Sequence, residues 1–128
     1  MELQQHEYYI HLFDPKDRIL TFIWTKRTAA MTDEDFKNGL VAYAKFAEVH
    51  KPLGLLINGT EFHFRPSEGL GDWRAKEIIP RYNRGGVKKF AFLNENFSEL
   101  PPEERNPGED FVTRYFNSER AAYEWLWE

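Results

Sequence analysis

A short apolar run in the middle of the chain places the strongest constraint on the fold. Residues 53–57 read LGLLI, with almost no alternation of apolar and polar side chains. Such a run is typical of a strand at the centre of a sheet whose two faces are both covered by helices. It leads through a polar stretch to Ser-Glu-Gly-Leu-Gly, residues 67–71, which predicts the start of a helix.

Two strands and one helix are predicted before this central strand. Residues 8–13 and 19–24 are rich in β-forming residues and flank Asp-Pro-Lys-Asp, so together they predict a β-hairpin. Thr32 suits a helix N-cap, and the three acidic residues that follow it favour the positive end of the helix dipole. Apolar residues then recur at helical spacing until Pro52, where the helix has to end.

The stretch after the central strand allows two interpretations. Asn58-Gly59 followed by the alternating residues 60–64 is a hairpin signal. The other interpretation, which fits the following residues better, is a loop that reaches a helix near Ser67. In that case Ser67 is the N-cap and Glu68 interacts favourably with the helix dipole.

Two more strands and a terminal helix complete the prediction. Residues 87–93 and 111–116 are predicted strands, and Ser118 is expected to cap the last helix. The proline-rich, acidic stretch 94–110 between the strands is either functional or poorly ordered. The order of elements predicts a single α/β domain over residues 1–128, with a mixed, mostly parallel, five-stranded sheet covered by three to four helices.

Composition narrows the classes of function. The chain is 41% hydrophobic and carries a net charge of −4, and an acidic surface is a poor match for nucleic acid. It contains no cysteine, which excludes disulfides, thiolate metal sites and a cysteine nucleophile. The N-terminal residues lack the basic and apolar regions of a secretory signal, and no apolar run approaches the roughly 20 residues that span a bilayer. We therefore expect a cytoplasmic protein.

The sequence offers few groups for catalysis. The four histidines lack the spacing of metal ligands, and no paired carboxylates, nucleophile elbow or phosphate loop is recognisable. We expect neither metal nor cofactor, and an enzyme ranks below the other functions. His63 and Ser67 lack a third residue to orient them as a catalytic pair. The aromatic residues near the central strand line an apolar pocket or simply pack in the core, and they are Trp24, Phe62, Phe64 and Trp73.

The segment after the central strand resembles that of the anti-sigma-factor-antagonist (STAS) domains. In that family the strand is followed by an Asp-rich loop and then by Asp-Ser-Ser/Thr-Gly-Leu-Gly at a helix N-terminus. The positions that match here are Asn58, Phe64, Ser67, Gly69, Leu70 and Gly71. Pro66 stands where the family has the Asp before its phosphorylated Ser, and Glu68 stands where it has the second hydroxyl residue.

Nearly the whole chain resembles the SpoIIAA-like group of small bacterial proteins, which share the STAS fold. The similar segments are Trp24 after the second strand, residues 31–36 (MTDEDF), 87–92 (VKKFAF) and 113–121 (TRYFNSERA), and Trp125-Leu126. The resemblance implies a SpoIIAA-like domain and a non-catalytic regulatory module. A protein partner would dock around residues 58–73, and the docking residues would be Asn58, Ser67, Glu68, Gly69, Leu70 and Gly71.

Other functional hypotheses remain open at this stage. Ser67 is either a phosphorylation site, where helix amides would favour a phosphate, or a plain N-cap. The alternative function is the binding of a small hydrophobic, lipid-like ligand, because the topology is similar to that of lipid-transfer domains. Homodimerisation through an edge strand or through the aromatic C-terminal helix is a further hypothesis.

Overall fold

Six strands form one mixed sheet in which neighbours along the chain are also neighbours in space. A computed structural model describes all residues, 1–128. The strands are β1 (Glu2–Gln5), β2 (Tyr9–Asp14), β3 (Ile19–Trp24), β4 (Gly54–Asn58), β5 (Lys89–Leu93) and β6 (Val112–Phe116). The first three pair antiparallel, whereas β3, β4, β5 and β6 pair parallel. The carboxyl ends of these four strands therefore lie at one edge of the sheet.

Helices cover both faces of this sheet. They are a 3₁₀ helix (Lys26–Ala30), α1 (Asp33–His50), α2 (Leu70–Glu77), α3 (Ile79–Arg84) and α4 (Glu119–Trp127). One apolar cluster includes residues of α1, α3 and one sheet face, and a second joins α4 to the other face. None of the α-helices has the length and hydrophobicity that crossing a bilayer requires.

The predicted α/β class and the central strand are confirmed, but the predicted number of strands is wrong. Leu55 and Ile57 of β4 are buried on the side of α1, and Leu56 is buried on the side of α4. The sheet has six strands, whereas five were predicted, and the strand missing from the prediction is β1. The sequence of β1 is ELQQ, which lacks an apolar pattern, and the strand forms through backbone pairing with β2.

Helix α1 is capped at its start and is fixed to the sheet near its middle. Thr32 and Asp35 form a capping box, in which the Asp35 N–H donates to the Thr32 hydroxyl and the Thr32 N–H donates to the Asp35 carboxylate. The fully buried Tyr43 hydroxyl donates to the Leu20 carbonyl, and the Leu56 carbonyl lies 3.3 Å from the same oxygen. Helix α1 is thus bonded to the backbone at the β3–β4 pair.

The connection between β5 and β6, residues 94–111, crosses the sheet without forming a helix. Glu104 pairs with Thr113 of β6 through two backbone hydrogen bonds of 2.8 and 3.0 Å. The Asn83 side chain donates to the Gly108 carbonyl at 2.7 Å and accepts from the Asp110 N–H at 2.9 Å. These bonds hold the connection on the same face as α1, α2 and α3.

Helices α1 and α3 approach so closely at Gly85 that no side chain fits there. A Cβ atom at Gly85 would lie 2.9 Å from the Ala47 carbonyl oxygen of α1, whereas one at Gly71 would meet nothing within 4 Å. We expect Gly85→Ala to lower the free energy of unfolding by about 1–3 kcal/mol, because backbone atoms have to move apart. Gly71→Ala is the matched control and should raise it by up to about 1 kcal/mol.

Urea denaturation of both variants measures this difference. Equal stability of the two variants would show that the close contact between α1 and α3 is not present in solution.

His11 is a buried base without a hydrogen-bond partner. It is fully buried beside the rings of Tyr9, Phe22 and Tyr43, and neither ring nitrogen has a partner. Burial, assisted by the charge of His6, lowers the pKa of His11 to about 3. In the unfolded chain His11 binds a proton as the pH falls through 6.5, whereas in the folded protein it stays neutral there. The free energy of unfolding therefore falls as the pH drops below that value.

Replacing His11 should remove this part of the acid sensitivity. From about pH 7 to about pH 5, the free energy of unfolding of the natural chain should fall by about 2 kcal/mol more than that of His11→Leu. Urea denaturation of the two proteins across this range checks the expectation. If the free energies of unfolding of the two proteins change equally with pH, His11 is not a neutral, desolvated group in the folded protein.

Candidate functional site

A cavity of about 420 Å³ opens at the carboxyl edge of the parallel strands. Its wall includes Trp24, Ile57 and Leu93, which lie at or next to the ends of β3, β4 and β5. Ligands of open α/β sheets bind outside this edge where the strand order reverses, whereas the order β1 to β6 of this sheet has no reversal. Pockets for small molecules typically span roughly 300–1,000 Å³, and this opening falls within that range. Its size makes the cavity the candidate functional site.

One side of the cavity is aromatic and aliphatic. Trp24 stacks on Phe36 of α1, with ring centres 5.7 Å apart, and lies 5.0 Å from the ring centre of Phe62. Leu40 of α1 and Phe97 of the connection 94–111 add further apolar surface. This side of the cavity can therefore accommodate an apolar group without leaving a polar atom unpaired.

The opposite side carries a small number of polar groups, most of them already paired. The Tyr115 hydroxyl donates to the Glu104 carboxylate at 2.7 Å. Burial and then this carboxylate raise the pKa of Tyr115 to about 12, so its hydroxyl stays protonated at neutral pH. The Asn106 amide donates to the Glu109 carboxylate at 3.0 Å.

Arg74 of α2 is the basic residue in the cavity wall. Its guanidinium carbon lies 5.6 Å from the ring centre of Phe90 and 5.9 Å from that of Phe92. The polar side of the cavity thus combines a cation with hydrogen-bonded acidic groups.

The loop 59–69 after β4 is bonded to the 3₁₀ helix on one side and to the end of β5 on the other, and it does not pair with β4. The buried Thr28 hydroxyl donates to the Glu61 carbonyl at 3.2 Å and accepts from the His63 N–H at 2.8 Å. On the other side, the Gly59 N–H donates to the Leu93 carbonyl at 2.7 Å. Residues 60–64 form no strand, so the hairpin interpretation is wrong. Thr28 gave no sequence signal, because nothing distinguishes it from the other polar residues of the run TKRT, residues 25–28.

Ser67 does not cap a helix, which corrects the prediction that it does. Helix α2 begins at Leu70, and Gly69 occupies the N-cap position with φ of 94° and no side-chain hydrogen bond. Ser67 is exposed, and its N–H faces the Asp33 carboxylate at 3.4 Å. A phosphate on Ser67 would therefore lie near the negative charge of Asp33.

The other predicted docking residues divide between surface and core. Glu68, Gly69 and Gly71 are exposed, whereas Leu70 is buried. Asn58 is half-buried, and its side chain accepts the Thr60 N–H at 3.0 Å. Asn58 thus shapes the start of the loop.

Two of the four predicted pocket residues line the cavity. Trp24 and Phe62 contribute to its wall. Phe64 packs beside Phe36 and Phe62 without lining the cavity, and Trp73 lies outside the wall, with the Lys37 ammonium 5.5 Å from its ring centre. The prediction from sequence missed the contributions of α1, β6 and the connection 94–111. The position of that connection just after a parallel strand was the available signal.

Few groups in the structure are arranged for metal binding or catalysis. No three His, Asp or Glu side chains come together as a group that could hold a metal ion. His63 Nε2 lies 3.4 Å from Glu61 Oε2, and both side chains are about half exposed, as in an ordinary surface pair. The cavity is therefore the best-defined candidate site in the molecule.

Comparison with known proteins yields no relative: no protein-family profile, curated protein or solved structure matches this chain. The function has to be inferred from the chemistry of the cavity.

Proposed function

We propose that this protein binds a small, mainly apolar ligand in the cavity at the carboxyl edge of its sheet. The observation that carries the proposal is an opening of about 420 Å³ in which nine of the 17 lining residues are hydrophobic. Few polar groups converge on it, and this combination is typical of small-molecule sites.

The energetics of the aromatic wall favour such a ligand. Removing apolar surface from water contributes roughly 25 cal/mol per Å². A ligand in the cavity would gain this on its own surface and on the partly exposed rings of Phe36 and Phe62, whereas Trp24 is already buried. These rings are already held against one another and against α1, so little ordering is required on binding.

A second candidate function is partner docking by a SpoIIAA-like or STAS-like regulatory module. The observation in its favour is a continuous exposed segment, residues 65–69, at the same edge of the sheet. The carboxylates of Asp33 and Glu68 near Ser67 oppose regulation by a phosphate at that position, so recognition of the unmodified segment is the version that we propose. A partner that co-purifies equally well after residues 67–71 are replaced would count against this function.

Two matched glycine substitutions test the ligand-binding proposal. Gly59 lines the cavity, and a Cβ there would lie 3.8 Å from both the Leu93 carbonyl oxygen and the Phe62 Cβ. Gly59→Leu should therefore fill part of the opening without backbone strain. Gly71→Leu adds the same side chain at an exposed position outside the cavity wall.

We expect the natural chain to bind the neutral fluorescent probe Nile red. The affinity should fall by about tenfold or more in Gly59→Leu, because a blocked cavity forfeits more than about 1.4 kcal/mol of binding energy. Gly71→Leu should bind the probe like the natural chain. Absence of binding by the natural chain, or equal binding by all three proteins, would contradict the proposal.

A further inference from the structure

The geometry of Arg74 points to the chemistry of the ligand: we infer that it is an amphipathic acid, with an apolar body and a carboxylate that Arg74 binds. This inference rests on the proposed function, because it concerns the polar end of the same cavity.

Arg74 is a partly buried cation without an anionic partner. Its side chain makes no hydrogen bond and no ion pair, although the residue is only partly exposed and lines the cavity. Arg81, which is also partly buried, shows the usual arrangement, because it donates two hydrogen bonds of 2.9 and 2.6 Å to Glu48. The guanidinium nitrogens of Arg74 are not buried and have no protein partner, so they are available to an anion that enters the cavity.

The position of the guanidinium suits a carboxylate. Phe90 and Phe92 lie within 6 Å of it, at 5.6 and 5.9 Å, and both rings can stabilise the cation. An arginine held against aromatic rings keeps N–H groups available at its edge, where two parallel hydrogen bonds to a carboxylate can form. Phe92 also belongs to the cavity wall, so a bound carboxylate would adjoin the apolar part of the site.

The two acidic residues of the wall are the main opposition to an anion. Glu104 and Glu109 outnumber Arg74, which gives the wall a formal charge of −1. Each carboxylate, however, already accepts a hydrogen bond, Glu104 from Tyr115 and Glu109 from Asn106. The donors of Arg74 have no protein partner and face solvent, so a carboxylate can bind them without breaking a hydrogen bond within the protein.

Three probes with the same ten-carbon chain separate the contribution of the head group from that of the chain. Decanoate carries an anionic head, decanol a neutral one and decyltrimethylammonium a cationic one. Their dissociation constants are measured by calorimetry, below the concentrations at which they form micelles, for the natural chain, Arg74→Gln and Arg74→Lys. Lys76→Gln is the matched control, because Lys76 is an exposed cation on the same helix that does not line the cavity.

We expect decanoate to bind about 10- to 100-fold more tightly than decanol to the natural chain, in line with hydrogen bonds to a charged group. Arg74→Gln should abolish this preference, because decanoate loses its hydrogen-bonding partner whereas decanol loses only packing against the arginine side chain. Urea denaturation checks that the variant is folded. Arg74→Lys should keep part of the preference, and Lys76→Gln should keep all of it.

The other outcomes overturn the inference in distinguishable ways. If decanol binds as tightly as decanoate, or if Arg74→Gln keeps the preference, the carboxylate assignment is wrong and the proposed cavity function stands. If decyltrimethylammonium binds most tightly, Glu104 and Glu109 dominate the site instead. If none of the three binds, the proposed function fails together with the inference.

Discussion

The absence of a helix between β5 and β6 is the constraint from which the candidate site follows. The earlier parallel connections carry α1 and then α2 with α3, which cover the sheet over β3, β4 and part of β5. The connection 94–111 crosses the same face as irregular chain. It is attached by the pairing of Glu104 with β6, by hydrogen bonds to Asn83 of α3 and by the packing of Phe111 on Phe90. Phe92 and Tyr115, which a helix would have covered, remain half-buried and line the cavity.

The two sides of the cavity differ in how they are held. On one side, α1 is bonded to the backbone of β3 and β4 through Tyr43 and packs closely on α3 at Gly85. On the other side, the connection 94–111 is held by the backbone pair Glu104–Thr113 and by the buried Phe111 at its end, and elsewhere by exposed hydrogen bonds that involve side chains. Segments with few buried contacts and exposed hydrogen bonds open at lower free energy than a packed core. The connection 94–111 is therefore the part of the wall that we expect to move when a ligand enters.

Elements with a strong local pattern could be predicted from the sequence, whereas features made by tertiary contact could not. The apolar run of β4 and the acidic start of α1 after Thr32 encode their own structures. Strand β1 depends on pairing with β2, and the start of α2 at Leu70 rather than at Ser67 depends on Gly69 at positive φ. For the site, Trp24 and Phe62 could be predicted because Trp24 ends β3 and Phe62 lies in the loop that follows β4. Arg74, Glu104 and Tyr115 come together from three separate elements, and no pattern in the sequence links them.

Amide chemical shifts of the isotopically labelled protein during a titration with decanol would test the location of the site most directly. The account predicts that the largest changes fall at the carboxyl edge, on residues such as Gly59, Phe62, Leu93 and Thr113. Changes concentrated on β1, β2 or α4, or the absence of changes at saturating decanol, would contradict it.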